Sequence, residues 1–265
     1  MKSISVLLIL FFTLPAFIFA QSDTSHLFNS FDGTKIYYEV KGKGKPVVLI
    51  HGFIVTGESW KRTELYNDLQ DSGFQIITLD MRGNGRSDKP HSPELYANDA
   101  EARDIMGLVN MLKIKKYSVV GYSRGSIIVS RLLVMDKRVN AGVMGGMGSD
   151  FTNPEWPRRK MFYRALMGDS VQELQGMVRN VKASGLDQLA LAYLQKEQPS
   201  TSKQALSKLN QRVLVICGRE DTDNGSAEAL AKLIPKATYR TVPGDHGGAV
   251  KTKEFSEEVI SFLKH

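Results

Sequence analysis

Short apolar runs and longer amphipathic stretches take turns along this chain. "PVVLIHGF" (46–53), "FQIITLD" (74–80), "YSVVGYS" (117–123), "VNAGVMGGMG" (139–148) and "RVLVICG" (212–218) are apolar almost throughout. A strand buried on both faces has this composition, because neither face is left for polar residues. "ATYRTVP" (237–243) adds another β-prone run. Between them, residues 58–73, 99–114, 124–136, 226–234 and 253–265 predict helices. The first of these carries Trp60, Leu65 and Leu69 and stops at Gly73, as an amphipathic helix does. Ahead of all of them, Asp32-Gly33 lies between two β-prone runs in 27–40. Asp-Gly supplies the positive φ of a tight turn, so a hairpin is expected there. Strands alternating with helices predict crossover connections and a mostly parallel sheet, the α/β class.

One segment departs from that alternation. From 150 to 209 no buried strand is visible, and four short helical patterns follow one another with Gly and Pro between them. Ordinary connections are far shorter, and long inserts of this kind form lids or binding segments. The expected organisation is a core of residues 21–149 and 210–265, interrupted by a helical cap at 150–209.

Residues 1–20 read differently again. Lys2 precedes an apolar stretch from Ile4 to Phe12, Pro15 breaks it, and Ala20 stands before Gln21-Ser22-Asp23. This is the layout of a secretory signal peptide, and the apolar run is too short to span a bilayer. Cleavage near Ala20 would make the mature protein secreted or periplasmic. Cys217 is the only cysteine, so no intrachain disulfide forms. The net charge of +7 comes from scattered Lys and Arg, with no basic stripe or binding motif for nucleic acid. It implies a basic surface to which contact with anionic membranes remains open.

The candidate chemistry centres on "VVGYSRGS" (119–126). A serine hydroxyl is a weak nucleophile and needs a base and oxyanion donors. With 23 Gly and 22 Ser in 265 residues, G-x-S-x-G alone means little. Here, however, it stands between a predicted strand and an apolar helix, the context a nucleophile elbow requires. Gly121 and Gly125 remove the Cβ atoms that would crowd so sharp a turn. Of five histidines, His246 in "VPGDHGGAV" follows a predicted strand on a Gly-rich loop, where α/β sheets place their chemistry. "GREDTDN" (218–224) offers Glu220, Asp221 and Asp223 after another strand end. Asp223 or Asn224 suits the N-cap of the next helix, which leaves Asp221 to orient the histidine.

In these motifs the chain resembles the α/β-hydrolases with a helical cap, over about residues 30–265. "HGF" (51–53) resembles the family's oxyanion loop, "LDMRGNGRSDKP" (79–90) its site-entrance loop, "GYSRG" the elbow and "GRED" the acid turn. The resemblance implies an eight-stranded, mostly parallel sheet flanked by helices, with an antiparallel second strand and the cap over the site. It implies Ser123 as nucleophile, His246 as base and Asp221 as its orienting acid. The backbone N–H groups of Phe53 and Arg124 would form the oxyanion hole. Serine at the elbow separates the chain from relatives that use aspartate there, the epoxide hydrolases and haloalkane dehalogenases. Hydrolysis of a small-molecule carboxylic ester is expected. Thioester, lactone, peptide or carbon–carbon bond cleavage, or slow-turnover ligand binding, are the alternatives on the same scaffold.

Trp156, Met161 and Phe162 are candidates for the substrate pocket, and with Phe53 and Met167 they would line the apolar entrance that a lipase or membrane-surface enzyme needs. Arg124, where relatives carry an uncharged residue, reads either as a recogniser of acidic substrates or as half of a packed ion pair. Ser126 stands where a further Gly is common. "RGNGRS" (82–87) lacks the spacing and Lys of a phosphate-binding loop, and no His or Cys cluster has metal-ligand spacing. No cofactor or metal is therefore expected.

Overall fold

The computed structural model describes residues 24–265; the leader expected at 1–20 lies outside them. Eight strands form one sheet: β1 (Thr24–Asn29), β2 (Lys35–Lys41), β3 (Pro46–Ile50), β4 (Gln75–Leu79), β5 (Tyr117–Tyr122), β6 (Val139–Gly145), β7 (Arg212–Gly218) and β8 (Ala237–Val242). Their order is β1-β2-β4-β3-β5-β6-β7-β8. β2 runs antiparallel to β1 and β4, and every other pairing is parallel. The β1–β2 hairpin turns through Gly33 at φ +86°, with the Asp32 carboxylate accepting from the Thr34 amide.

The helices are α1 (Glu64–Asp71), α2 (Ala100–Met111), α3 (Arg124–Met135), α4 (Pro157–Met167), α5 (Gln175–Ala183), α6 (Gln188–Lys196), α7 (Lys203–Leu206), α8 (Ala227–Lys232) and α9 (Lys253–Lys264). The helix expected over 58–73 divides. Gly57–Arg62 is a 3-10 turn, and Thr63 leaves helical geometry to cap α1 by accepting from the Tyr66 amide. A hydroxyl residue gains more by capping a helix than by lying inside one.

Alternate residues of the central strands face opposite layers. Val48, Ile50 and Val119 pack with α2, α3 and α8, whereas Val47, Leu49 and Val120 pack with α1 and α9. Both faces are covered, which is why these strands have no polar side. Burying each such side chain contributes roughly 1.5–3 kcal/mol. The segment between β6 and β7 carries α4 to α7. Leu166, Val181, Ala190, Leu191 and Leu194 form its own apolar cluster, joined by Tyr96 from the core.

The loop after β4 is wrapped around buried charge. Arg82, fully buried, donates to both carboxylate oxygens of Asp104 at 2.6 and 2.7 Å and to Asp32 at 2.8 Å. Asp80 accepts from the Gly57 and Arg86 amides at 2.8 Å each. The "RGNGRS" backbone thus has internal partners. The chain crosses from β3 to β4 on one side and later returns past β3 to β5. The loops leaving β3 and β5 diverge there and open a crevice at the carboxyl ends of the strands.

Candidate active site

Ser123 occupies that crevice. It follows β5 and precedes α3 with φ +54° and ψ −124°, a conformation few side-chain-bearing residues adopt. The turn persists because its surroundings over-determine it. The Ser123 amide donates to the Gly145 carbonyl at 2.8 Å. The Ser126 hydroxyl reaches the Gly121 and Gly145 carbonyls at 3.1 and 2.8 Å, which gives that residue an anchoring role. A Cβ on Gly121 would strike the Gly125 carbonyl, and one on Gly125 would strike those of Ile50 and His51. Glycine is required at both positions by close backbone approach.

His246 Nε2 lies 2.9 Å from Ser123 Oγ, and its Nδ1 lies 2.9 Å from Asp221 Oδ2. The consistent arrangement has the serine hydroxyl donating to Nε2 and Nδ1–H donating to the carboxylate. Burial pushes the Asp221 carboxyl up. Hydrogen bonds from His246 and the Asp223 amide, with the charges of His246 and Arg158, outweigh this and leave it below its ordinary value. An ionised carboxylate is what an orienting acid needs.

The two residues expected to supply oxyanion donors border the serine. Arg124 is the first residue of α3, so its amide has no partner within the helix. Phe53 lines the same cavity as Ser123, on the loop that leaves β3. That loop is fixed by buried His51, whose Nε2 accepts from the Met81 amide at 2.9 Å while Nδ1 lies 2.7 Å from the Gly52 carbonyl. The two contacts require the neutral Nδ1–H tautomer, and burial lowers the affinity of this imidazole for a second proton.

Ser123 and His246 stand between two cavities. The inner one, about 250 Å³, lies under the cap and is lined by Phe53, Arg124, Trp156, Arg159 and Phe162 among others. The outer one, about 620 Å³, is bounded by the loops around Gly52, Trp60 and Val250. Phe53 borders both, and its ring meets Phe162 edge-on with centroids 5.9 Å apart. Phe53, Trp156 and Phe162 line the inner cavity. Met161 instead lines a surface depression beside α4 with Glu155 and Arg164, and Met167 is exposed.

Arg124 is a packed ion pair. Its Nη atoms donate to both Glu101 oxygens at 2.5 and 2.6 Å, and Nη2 also reaches the Leu194 carbonyl at 3.0 Å. Arg124 is 7% exposed and Glu101 3%. The expected capping of α8 by Asp223 or Asn224 is also corrected. Ser226 is the cap, accepting from the Ala229 amide, while Asn224 donates to the Gly146 carbonyl and Asp223 faces Arg158. Ser226 sits immediately before the helix, where its oxygen reaches the free amides.

Sequence reading missed Tyr122, whose hydroxyl donates to the His246 carbonyl at 2.8 Å and holds the histidine loop. It also missed Glu101 and Arg159. Glu101 stands beside Arg103 and Asp104 at the start of α2, so the sequence gives no sign that it is the buried partner of Arg124. Among the described residues, no group of three or more His, Cys, Asp or Glu is placed to hold a metal ion. No helix among them is long and apolar enough to cross a membrane.

These features define a class, and comparison with known proteins agrees. The sequence profile of the alpha/beta hydrolase fold family matches residues 45–198. The chain belongs to that family. It is 33% identical to the non-heme chloroperoxidase of Streptomyces lividans over 274 aligned positions, covering 88% of this chain and 97% of that protein. It is 35% identical to epoxide hydrolase 3 of Siraitia grosvenorii over 103 residues, 39% of this chain. There the chain covers 32% of the relative's length, and about a third is typical of the curated relatives it matches over short spans. The bromoperoxidase of Bacillus anthracis shares the fold with a TM-score of 0.76 at 24% identity, over 91% of this chain and all of that one.

Proposed function

We propose that this chain is a serine hydrolase that cleaves small carboxylic esters through an acyl-enzyme. The observation that carries this is the unbroken relay from Ser123 Oγ through His246 to Asp221, with both links at 2.9 Å. Ser123 Oγ attacks the acyl carbon as its proton passes to His246 Nε2. The negative charge that develops on the carbonyl oxygen meets the N–H groups of Phe53 and Arg124. Collapse expels the alcohol, which takes the proton from Nε2. Water then attacks the acyl-enzyme, His246 accepts its proton, and the carboxylic acid leaves as Ser123 regains its hydrogen. Asp221 holds the imidazole tautomer and stabilises the transient imidazolium. The two cavities give the acyl group and the alcohol separate room on either side of the serine.

A fluorophosphonate probe followed by peptide mapping tests the reading. The label is expected on Ser123, absent in Ser123→Ala and strongly slowed in His246→Ala. A label elsewhere, or none on folded protein, would overturn it.

The relationship to a chloroperoxidase across nearly the whole chain favours a second reading on the same relay. Hydrogen peroxide, in place of water, would take the acyl group and leave as a peracid. That peracid would oxidise halide and be reduced to the carboxylic acid. Ser123-dependent halide oxidation with acetate and peroxide is the discriminating measurement.

A further inference from the structure

The inner cavity holds more cationic hydrogen-bonding capacity than the relay uses. Arg124, Arg158 and Arg159 all line it, together with Gln195 and Gln198. The first two cations are matched. Arg124 is neutralised by Glu101, and Arg158 lies 3.4 Å from Asp223. Arg159 is not. Glu155, near it in the chain, is paired with Lys160, and among the described residues no carboxylate lies within ion-pair reach of Arg159.

The orientation of Arg159 is more informative than its charge. Its Nη1 donates to the Lys196 and Gln198 carbonyls at 3.3 and 3.2 Å, main-chain acceptors left free where α6 ends. Those bonds fix the plane of the guanidinium by its Nη1 corner. The Nε atom, buried, has no partner. Nε is closed off by its surroundings, so a ligand reaches the guanidinium through Nη2, which has no hydrogen-bond partner. A charged donor of this kind forms a short, strong hydrogen bond with a carboxylate oxygen. Arg124 on the same cavity differs, since both its Nη atoms are committed to Glu101 and its Nε is buried.

We propose that the inner cavity takes an acyl group ending in a carboxylate, seated on Nη2 of Arg159. The preferred substrates are then monoesters of short dicarboxylic acids. This rests on the serine-hydrolase reading and names its substrate class. The small size of the cavity sets the chain length, since about 250 Å³ leaves room only for a short acyl group. The larger outer cavity suits the alcohol, which must leave while the acyl group stays bonded to Ser123.

The test compares hydrolysis of monomethyl glutarate with its neutral counterparts, dimethyl glutarate and methyl pentanoate, by titrating released acid. Monomethyl succinate and adipate bracket the length. Wild type is expected to favour the anionic monoester by roughly tenfold or more in kcat/KM. Arg159→Gln is expected to remove most of that preference through KM, and Arg159→Lys to restore part of it. Calorimetric titration of glutarate into Ser123→Ala, with and without Arg159→Gln, reads the site without turnover. Glutarate binding that disappears with Arg159→Gln supports the anion site even where no ester is hydrolysed, a result that would sink only the hydrolase reading. Ester turnover without anionic preference, or glutarate binding unchanged by Arg159→Gln, overturns the anion site and leaves the hydrolase reading standing.

Discussion

The strand ends and the cap hold their side chains by different means. Around the relay the work is done largely by the main chain. The Ser123 amide is fixed to Gly145 at 2.8 Å, the Arg219 amide before Asp221 to Val242 at 2.9 Å, and the Ala249 amide closes the His246 loop onto the Asp245 carbonyl at 3.0 Å. The cap reaches the core through side chains: Arg124 to Leu194 at 3.0 Å, Ser130 to Thr201 at 2.8 Å, and Arg158 to Asp223 at 3.4 Å. Backbone anchoring is set by the fold, so substituting a side chain leaves it in place. Side-chain anchoring changes with each substitution. Under the proposed reaction, geometry is set at the strand ends and substrate choice in the cap.

The two aspartates of the acid loop break or confirm that division most sharply. Asp221 belongs to the relay, and Asp223, two residues on, faces the cap. Asp221→Asn leaves the histidine in the wrong tautomer, and kcat is expected to fall about 10⁴-fold. Asp223→Asn removes only a half-exposed pair with Arg158, worth about 0.2–1 kcal/mol, so kcat/KM should change a few-fold. Steady-state kinetics on one neutral ester checks both. A large loss in Asp223→Asn beside a small one in Asp221→Asn would reverse the assignment of the acid.

Arg124 straddles the boundary and gives the next largest effect. It follows the serine at the start of α3, while its side chain joins α2 to the cap. Arg124→Met leaves the Glu101 carboxylate buried without its partner, and urea unfolding should show a loss of about 3–5 kcal/mol. Adding Glu101→Leu should recover most of it, because an apolar pair of similar volume fills the same space without charge. A single variant as stable as wild type would show that the pair is not what holds the cap to the elbow.

The same division governs what the sequence discloses. Strands buried on both faces announce themselves as apolar runs, and the glycines of "GYSRG" mark a backbone approach that tolerates no Cβ. Ser123 and Asp221 each follow such a run and His246 follows the mixed β-prone run of β8, so chain order and strand ends point toward all three. Pairings across the fold left no such mark. Glu101 meets Arg124 only because α2 packs beside α3. Thr63 splits a pattern that reads as one helix, since capping and continuing it place the same apolar residues inward. At "DTDNGS" several polar residues compete to cap α8, and only the fold selects Ser226.

Met161 and Phe162 show the limit at its finest. They are neighbours on α4, about 100° apart around the helix axis. The mixed sequence "PRRKMFYRALM" does not fix which of them faces the serine. The structure turns Phe162 inward against Phe53 and Met161 outward. An edge-to-face aromatic pair contributes about 0.5–1.5 kcal/mol beyond the area it buries. Phe162→Ala should therefore raise KM for a neutral ester by up to roughly tenfold, with kcat less affected, since the relay is anchored elsewhere. Met161→Ala touches neither cavity beside the serine and should leave both parameters near wild type. If the methionine variant moved KM and the phenylalanine variant did not, α4 would be rotated relative to the core. If Phe162→Ala lowered kcat as much as Asp221→Asn, the cap would be part of the chemistry, and the separation of reaction geometry from substrate choice would fail at its closest point of contact.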